Sequence, residues 1–237
     1  MPMEYRRKSD LVFGTLSLAD YGAVCYYCNA AESSGRDREV ISVPGRNGDL
    51  LRDNGRYENA PRTYLVYVPD LLQAKYLQTV LLAVTGYARL EDEYEPELYR
   101  VAYLKSAPVV ERYADAATLQ LTFDCKPQCY LKDGERVLSF TAAGTIYNPT
   151  LYDALPLVRA YGTGDVGVGT QTITILSAVG YTDLDCELMD AYKGTTNCNG
   201  NILLASGNFF SLAPGVNGVS LGNGITKLEI TPRWWTR

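Results

Sequence analysis

TLQLTFDC, residues 118–125, is the stretch that decides the fold, because apolar and polar side chains alternate along it without a break. Leu119, Leu121 and Phe123 point one way, and the polar residues beside them point the other way. That period of two is typical of a β-strand with one buried face. The same region holds two further predicted strands, EVISVP (39–44) and RTYLVYV (62–68).

One helix is predicted among these strands, in VPDLLQAKYLQTVLLAVTGY (68–87). Asp70 is a favourable N-cap, and Gly86 stands where a left-handed C-cap would fall. The helix should therefore span about residues 70–86. Its apolar residues recur every three or four positions and predict one broad buried face made of Leu72, Tyr76, Leu77, Val80, Leu81 and Val84.

Composition changes near residue 135 and favours two domains. Residues 1–135 hold 16 of the 22 Lys and Arg and 20 of the 27 Asp and Glu, whereas 13 of the 21 glycines follow them. The first domain, 1–135, is predicted to be a β-rich α+β unit. The second, 136–237, reads as an all-β sandwich, because short apolar runs alternate with turn residues. These runs are RVLSF, PLVRAYG, TITILS, NILLAS and KLEITP. The fold class is thus mainly β.

Charge and composition exclude several functions. The 237 residues include no histidine, which removes Ser-His-Asp and Cys-His catalysis and histidine metal sites. A net charge of −5 argues against nucleic acid as a partner. No apolar run is long enough to cross a bilayer, and MPMEYRRKSDLVFG lacks the apolar segment of a signal peptide. We expect no enzyme, no cofactor, no membrane insertion and a protein made in a cytosol.

The glycine-rich stretch VPGRNGDLLRDNGRYENAP (43–61) permits three interpretations. A phosphate loop is disfavoured, since neither P-loop nor dinucleotide-binding spacing is present. A cation held by Asn47, Asp49, Asp53 and Asn54 would not match the EF-hand spacing. Tight turns at Asn47–Gly48 and Asn54–Gly55 fit best, because both residue types tolerate a positive φ. The predicted turn residues are Gly45, Asn47, Gly48, Asn54 and Gly55.

Six cysteines raise the question of a metal site. Cys25 and Cys28 have C-x2-C spacing and Cys125 and Cys129 have C-x3-C spacing, so the two pairs are a weak zinc candidate. Free thiols in an apolar strand are the favoured alternative, and the metal expectation is none.

Two further segments suggest contacts. LEDEYEPELY (90–99) holds five carboxylates, which favour a solvated loop over an acid–base pair. Trp234 and Trp235 are adjacent, so on a strand only one enters its own core, and the other packs on a neighbour or is exposed. A sugar-stacking tryptophan is an alternative. The candidate subunit contacts are Asp49, Arg52, Arg56, Tyr57, Glu91, Asp92, Glu93, Glu95, Trp234 and Trp235.

Several segments, taken in order, resemble the distal tail protein (Dit) family of phages with long, non-contractile tails. They are VPGRNGDLLRDNGRY (43–57), LTFDCKP (121–127), IYNPT (146–150), ALP (154–156), APGVN (213–217) and PRWW (232–235). The resemblance implies a first domain of sandwich plus helix that closes into a hexameric ring. It also implies a galectin-like second sandwich outside that ring.

The resemblance implies a structural role as well. The ring would cap the tail tube in the virion and hold the tail-tip hub protein, and in some members the outer domain docks receptor-binding proteins. The chain has no room for the carbohydrate-binding insertions of larger members. A carbohydrate-binding module that contacts cell-wall glycans is the main alternative, and a two-carboxylate glycoside hydrolase is the other.

Overall fold

The computed structural model describes residues 10–28 and 33–237, and it divides the chain into two compact units. One unit comprises the described residues through Cys129 together with Arg237, and the other runs from Tyr130 to Thr236. The predicted mainly β fold is confirmed, since strands far outnumber helices in both units.

The first unit combines strands with one α-helix, α1 (Leu71–Ala83), and a 3-10 turn (Leu18–Tyr21). Its described strands are β1 (Leu11–Phe13), β2 (Leu16–Ser17), β3 (Val24–Cys28), β4 (Arg36–Ile41), β5 (Leu50–Tyr57), β6 (Ala60–Val68), β7 (Ala88–Asp92), β8 (Leu98–Leu104), β9 (Val109–Tyr113) and β10 (Ala116–Leu131). The main sheet has the order β2-β1-β7-β8-β10-β6-β3, and β9 pairs with β10. β4 and β5 form a separate two-stranded sheet.

The predicted alternation of residues 118–125 is confirmed. Leu119, Leu121 and Phe123 are fully buried in the core of the first unit. β10 pairs with β6 over nine residue pairs, from Ala117–Val68 to Cys125–Ala60. The strand that determines the fold therefore lies in the interior of the sheet, between β8 and β6.

Helix α1 covers this core with a narrower face than the sequence predicts. Asp70 caps it as predicted, because its carboxylate accepts the N–H groups of Leu72 at 2.7 Å and Gln73 at 3.0 Å. The buried residues are Ala74, Leu77 and Leu81. Leu72 and Tyr76, which were predicted to be inward, are 75% and 58% exposed.

The predicted C-terminus of α1 is wrong. The helix ends at Ala83, and Val84 is extended. β-Branched Val84 and Thr85 favour extended backbone, so the chain leaves the helix before Gly86, whose φ is +82°.

The second unit is a β-sandwich. Its strands are β11 (Leu138–Phe140), β12 (Gly144–Asn148), β13 (Leu157–Gly162), β14 (Gly164–Val168), β15 (Gln171–Ile175), β16 (Tyr181–Asp185), β17 (Asp190–Lys193), β18 (Thr196–Asn197), β19 (Ile202–Leu204), β20 (Gly215–Leu221), β21 (Ile225–Thr231) and β22 (Trp235–Thr236), with 3-10 turns at Lys132–Glu135 and Asn199–Asn201.

Two antiparallel sheets share the core of this second unit. Their orders are β11-β21-β13-β16-β17-β18 and β12-β20-β14-β15-β19. One sheet buries Val158 and Leu228, and the other buries Val166 and Ile173 in the same hydrophobic cluster. All five apolar runs predicted to be strands lie on strands.

Candidate functional site

The hairpin of β4 and β5 is exposed along almost all of its length. Val40 pairs with Leu51, and Ile41 pairs with Leu50. Adjacent pairs point to opposite faces of a hairpin, so both of its faces are apolar near the loop. Val40 and Leu51 are 61% and 62% exposed, and Ile41, Leu50 and Val43 are 38%, 38% and 37% exposed. We call these five residues the hairpin tip.

The loop that joins the two strands contains the glycines singled out in the sequence. The carbonyl of Val43 accepts the N–H of Arg46 at 3.1 Å, and Gly45 between them has φ +81°. The hydrogen-bonded turn therefore spans residues 43–46. The predicted tight turn at Asn47–Gly48 is instead a bend, in which Gly48 also has φ +81°.

The second predicted turn, at Asn54–Gly55, is wrong. Both residues lie inside β5, at a shift in the pairing register. Arg36 pairs with Tyr57 and Arg38 pairs with Asp53, so β5 has more residues than β4 between these two pairs. The extra residues on β5 form a bulge, and Gly55 adopts φ +75° there. An Asn-Gly pair serves a bulge as well as a turn, since both require a positive φ.

Ion pairs hold the base of the hairpin together. Asp37 accepts from Arg56 at 2.6 Å and from Asn54 at 3.1 Å, and these two bonds lower the pKa of Asp37. Asp53 accepts the N–H of Gly55 at 2.8 Å and pairs with Arg36 at 3.0 Å. The Gly55 and Arg36 interactions lower the pKa of Asp53.

The remaining candidate contact residues of the hairpin lie on its surface. Arg52 pairs loosely with Glu39 at 3.8 Å, and Asp49 is exposed in the loop. The ring of Tyr57 has two guanidinium groups near it, that of Arg36 at 5.0 Å and that of Arg237 at 4.6 Å. Tyr57 thus anchors the base, while the tip has no comparable packing among the described residues.

A second apolar surface lies on the sheet of the first unit, on the face opposite the core. Tyr26, Tyr67 and Tyr113 line a broad groove with Val24 and Pro69 and are 43%, 41% and 59% exposed. We call these five residues the tyrosine face. Sequence reasoning missed it, although the alternation in RTYLVYV already places Tyr67 opposite the buried valines.

The acidic segment 90–99 is not the solvated loop that the sequence favours. Asp92 ends β7, and its side chain is 1% exposed. Its carboxylate accepts the hydroxyl of Tyr64 at 2.6 Å and lies 3.5 Å from Arg62 and 3.9 Å from Arg100. Asp92 is buried and not solvated because the guanidiniums of Arg62 and Arg100, which come from other strands, converge on its carboxylate.

The neighbouring acidic residues divide between the cluster and the surface. Glu95 receives hydrogen bonds from both buried arginines, that from Arg62 at 2.7 Å. Glu91 lies on β7 and pairs with Arg89, whereas Glu93 is exposed. Of the four predicted contact residues here, Asp92 is therefore unavailable to a neighbour.

The four cysteines of the zinc candidate do not form a metal site. Across residues 10–28 and 33–237, no group of His, Cys, Asp or Glu is arranged to hold a metal ion. Cys25 and Cys125 are buried in the apolar core, and burial raises the pKa of Cys125 to about 12. Cys28 and Cys129 lie beside arginine guanidiniums, which disfavour a second cation.

The two tryptophans both pack within the second unit. Trp234 is 3% exposed in the sandwich core, as predicted for one of the pair. Trp235 stacks on Tyr152 at 4.3 Å and donates its indole N–H to the carbonyl of Asp153 at 2.9 Å. Trp235 is half-buried, and its predicted contact with a neighbouring domain or subunit stays a prediction.

The outer face of the larger sheet in the second unit carries tyrosines and charges. Arg159 binds Asp183 at 2.6 and 3.0 Å and lies 4.3 Å from the ring centre of Tyr181. The ammonium of Lys193 lies 5.2 Å from the same ring. Cations already occupy this aromatic surface, so the arrangement does not favour sugar stacking.

No helix within the described part of the chain is both long and apolar enough to span a membrane. Neither the family models nor the curated proteins give a match to this sequence.

Solved structures do resemble the chain. The crystal structure of SPP1 Dit (gp 19.1), described as a paradigm of the hub adsorption apparatus in phages that infect Gram-positive bacteria, matches with a TM-score of 0.72 and 11% identity. The match covers 94% of this chain and 98% of that chain. The Dit-like fold implied by the ordered motifs is thus confirmed, and at this identity the similarity concerns the fold alone.

A second match is weaker. The structure of the phage p2 baseplate in its activated conformation with Sr matches with a TM-score of 0.48 and 10% identity, over 94% of this chain and 96% of that chain. That score is too low to support an inference.

Proposed function

We propose that this protein is a structural subunit of a bacteriophage tail tip. Copies of it close into a hexameric ring at the distal end of the tail tube, and the ring joins the tube to the tail-tip hub and the receptor-binding apparatus. The subunits assemble in the host cytoplasm and reside in the virion. The fold shared with SPP1 Dit and the ordered motifs support this role.

The hairpin tip is the observation that carries the proposal. A two-stranded hairpin is at best marginally stable in water. β4 and β5 pair only with each other among the described strands, and the tip exposes five aliphatic side chains. Clustered apolar side chains on a surface element are typical of an assembly contact.

The tyrosine face supplies the second patch that a ring requires. A closed ring is built from a head-to-tail contact in which two different surfaces of one subunit meet. Aliphatic side chains of the hairpin tip suit a groove lined by Tyr26, Tyr67 and Tyr113, and tyrosine is enriched at interfaces. We expect a stable contact of this kind to bury at least about 2,000 Å².

The proposed role is non-enzymatic. Buried carboxylates of the first unit are engaged by arginines and a tyrosine, and those of the second unit by Arg159 and Arg233. Such pairing suits structural carboxylates better than a general acid and base.

Replacing Leu51 by lysine tests the proposal. Leu51 is 62% exposed, so Leu51→Lys should leave the folded subunit intact and prevent assembly, because a lysine does not enter an apolar groove. Leu151, which is 86% exposed in the second unit, supplies the matched control Leu151→Lys.

Light scattering coupled to size-exclusion chromatography measures the outcome. We expect the wild type and Leu151→Lys to elute as oligomers of the same mass and Leu51→Lys to elute as a monomer. Equal oligomerisation of all three proteins would rule out the hairpin tip as the contact.

A further inference from the structure

A small cavity in the first unit lies beside the buried arginines. Its volume is about 70 Å³, and its lining includes Ser34, Arg62, Glu95, Arg100, Lys126 and Arg237. A volume of this size holds roughly five water-sized spheres. Inorganic phosphate and sulfate are small tetrahedral ions, and a cavity of this size has room for one of them.

The cavity is positively charged. Its lining carries four cationic side chains and one carboxylate, Glu95. Asp92, which lies within 4 Å of both Arg62 and Arg100, adds one more negative charge. Cationic side chains thus outnumber these two carboxylates, and burial strengthens their attraction for an anion.

The two arginines also carry more N–H donors than the described residues around them offer strong acceptors. Each guanidinium has five N–H groups. Within residues 10–28 and 33–237, the hydrogen bonds and ion pairs of these guanidiniums to oxygen go to the hydroxyl of Tyr64 and the carboxylates of Asp92 and Glu95. The other polar neighbours are the thiols of Cys28 and Cys129, which are weak acceptors.

Ser34 adds a donor of its own. It is 8% exposed and lines the cavity. Its side chain makes no hydrogen bond to any other residue that the structure describes. The Ser34 hydroxyl lies in the lining beside two guanidiniums, an arrangement that suits a ligand with several acceptor oxygens.

We infer that this cavity binds a small inorganic oxyanion, phosphate or sulfate, through Arg62, Arg100 and Ser34. Guanidinium forks match the spacing of oxyanion oxygens. Arg62, Arg100 and Lys126 lie on β6, β8 and β10, so the ion stabilises the first unit where these three strands approach the cavity.

Isothermal titration calorimetry of the full chain with sodium phosphate tests this inference, and sodium chloride at equal ionic strength is the blank. We expect one phosphate to bind per chain. Ser34→Ala and Arg100→Lys should each weaken binding about tenfold or more, as expected for the loss of one charge-assisted hydrogen bond. Arg100→Lys retains the positive charge opposite Glu95 and Asp92 and removes the fork.

Two exposed positions provide matched controls. Ser106→Ala and Arg46→Lys make the same chemical changes away from the cavity and should leave phosphate affinity unchanged. Circular dichroism checks that each variant is folded. If Arg100→Lys is unfolded, the phosphate affinity of Ser34→Ala alone tests the inference. No binding at about 10 mM phosphate, or binding that Ser34→Ala leaves unchanged, would overturn the inference. The outcome is independent of ring assembly, since all the lining residues named belong to one chain.

Discussion

At the scale of single residues, Asp92 is a buried carboxylate that two guanidiniums and a tyrosine surround. Its side chain is 1% exposed and lies between Tyr64, Arg62 and Arg100. Asp92→Asn keeps the shape and removes the charge, so two buried guanidiniums are left with Glu95 as their main counter-ion. We expect a loss of about 3 kcal/mol in the free energy of unfolding, measured by urea denaturation.

Glu93 gives the control for this change, since it is exposed on the same segment. Glu93→Gln removes the same charge and should alter the free energy of unfolding by less than about 0.5 kcal/mol. Similar losses in the two variants would show that Asp92 acts only through the net charge of the chain.

Gly162 provides a second prediction at this scale. It has φ +106°, and a Cβ there would lie 2.0 Å from the carbonyl oxygen of Gly224. Gly162→Ala should therefore cost about 4 kcal/mol, from backbone strain and from overpacking. Thermal unfolding of the purified variant measures the loss.

Gly215 separates these two causes. Its φ is +86°, and a Cβ there meets nothing within 4 Å. Gly215→Ala should cost about 1–2 kcal/mol, from strain alone. Equal shifts of the melting temperature in the two variants would contradict the steric argument at Gly162.

The sequence did not predict contacts between side chains that are far apart along the chain. The acidic segment 90–99 predicts a solvated loop, because its carboxylates repel one another locally. The cations that bury Asp92 come from β6 and β8, and no local pattern pairs them with it. For the same reason the spacing within Cys25–Cys28 and Cys125–Cys129 offered only a weak zinc candidate, since spacing does not reveal which side chains converge.

At the scale of elements, Arg233 stabilises the turn that follows β16 through its ion pair with Asp185. Asp185 ends that strand and accepts from Arg233 at 2.8 and 2.9 Å and from the N–H groups of Glu187 and Leu188. Burial alone would raise the pKa of Asp185, but these bonds outweigh it and hold the pKa below its ordinary value of 3.8.

The lowered pKa of Asp185 determines how the free energy of unfolding depends on pH. Because the folded pKa is depressed, the stabilisation by Asp185 is complete above the ordinary pKa that this carboxyl has in the unfolded chain. It is lost as the pH falls through the folded value. Asp185→Asn should therefore lower the free energy of unfolding by about 2 kcal/mol at pH 7. The difference from wild type should shrink below about pH 4.

Urea denaturation from pH 7 down to pH 3 measures this difference. Asp153→Asn removes an exposed carboxylate of the same unit and should follow the wild type throughout. A deficit in Asp185→Asn that stays constant with pH would contradict the role assigned to the ionised carboxylate.

Strands were predicted correctly where one face is buried, because apolar residues then alternate with polar ones. The alternation of 118–125 and the five apolar runs of the second unit are all strands, since the period of two reports burial directly. Helix α1 is apolar on more than one face, so the pattern did not reveal that Ala74 rather than Leu72 lies inward. Asn54–Gly55 indicates a positive φ. A tight turn and a β-bulge both need one, so the pair does not distinguish between them.

At the scale of the whole molecule, the proposal depends on two unpartnered apolar surfaces of one unit. The hairpin tip and the tyrosine face differ in shape and chemistry, which suits a head-to-tail contact and not a two-fold one. The sequence indicates the hairpin through its glycines. It does not indicate the tyrosine face, because that surface is assembled from β3, β6 and β9, which are distant in sequence.

Electron microscopy of the purified protein tests the ring most directly. Class averages of concentrated wild-type protein should contain closed six-fold rings, and Leu51→Lys under the same conditions should contain single subunits only. Two-fold dimers in place of rings, or identical rings formed by Leu51→Lys, would contradict the account.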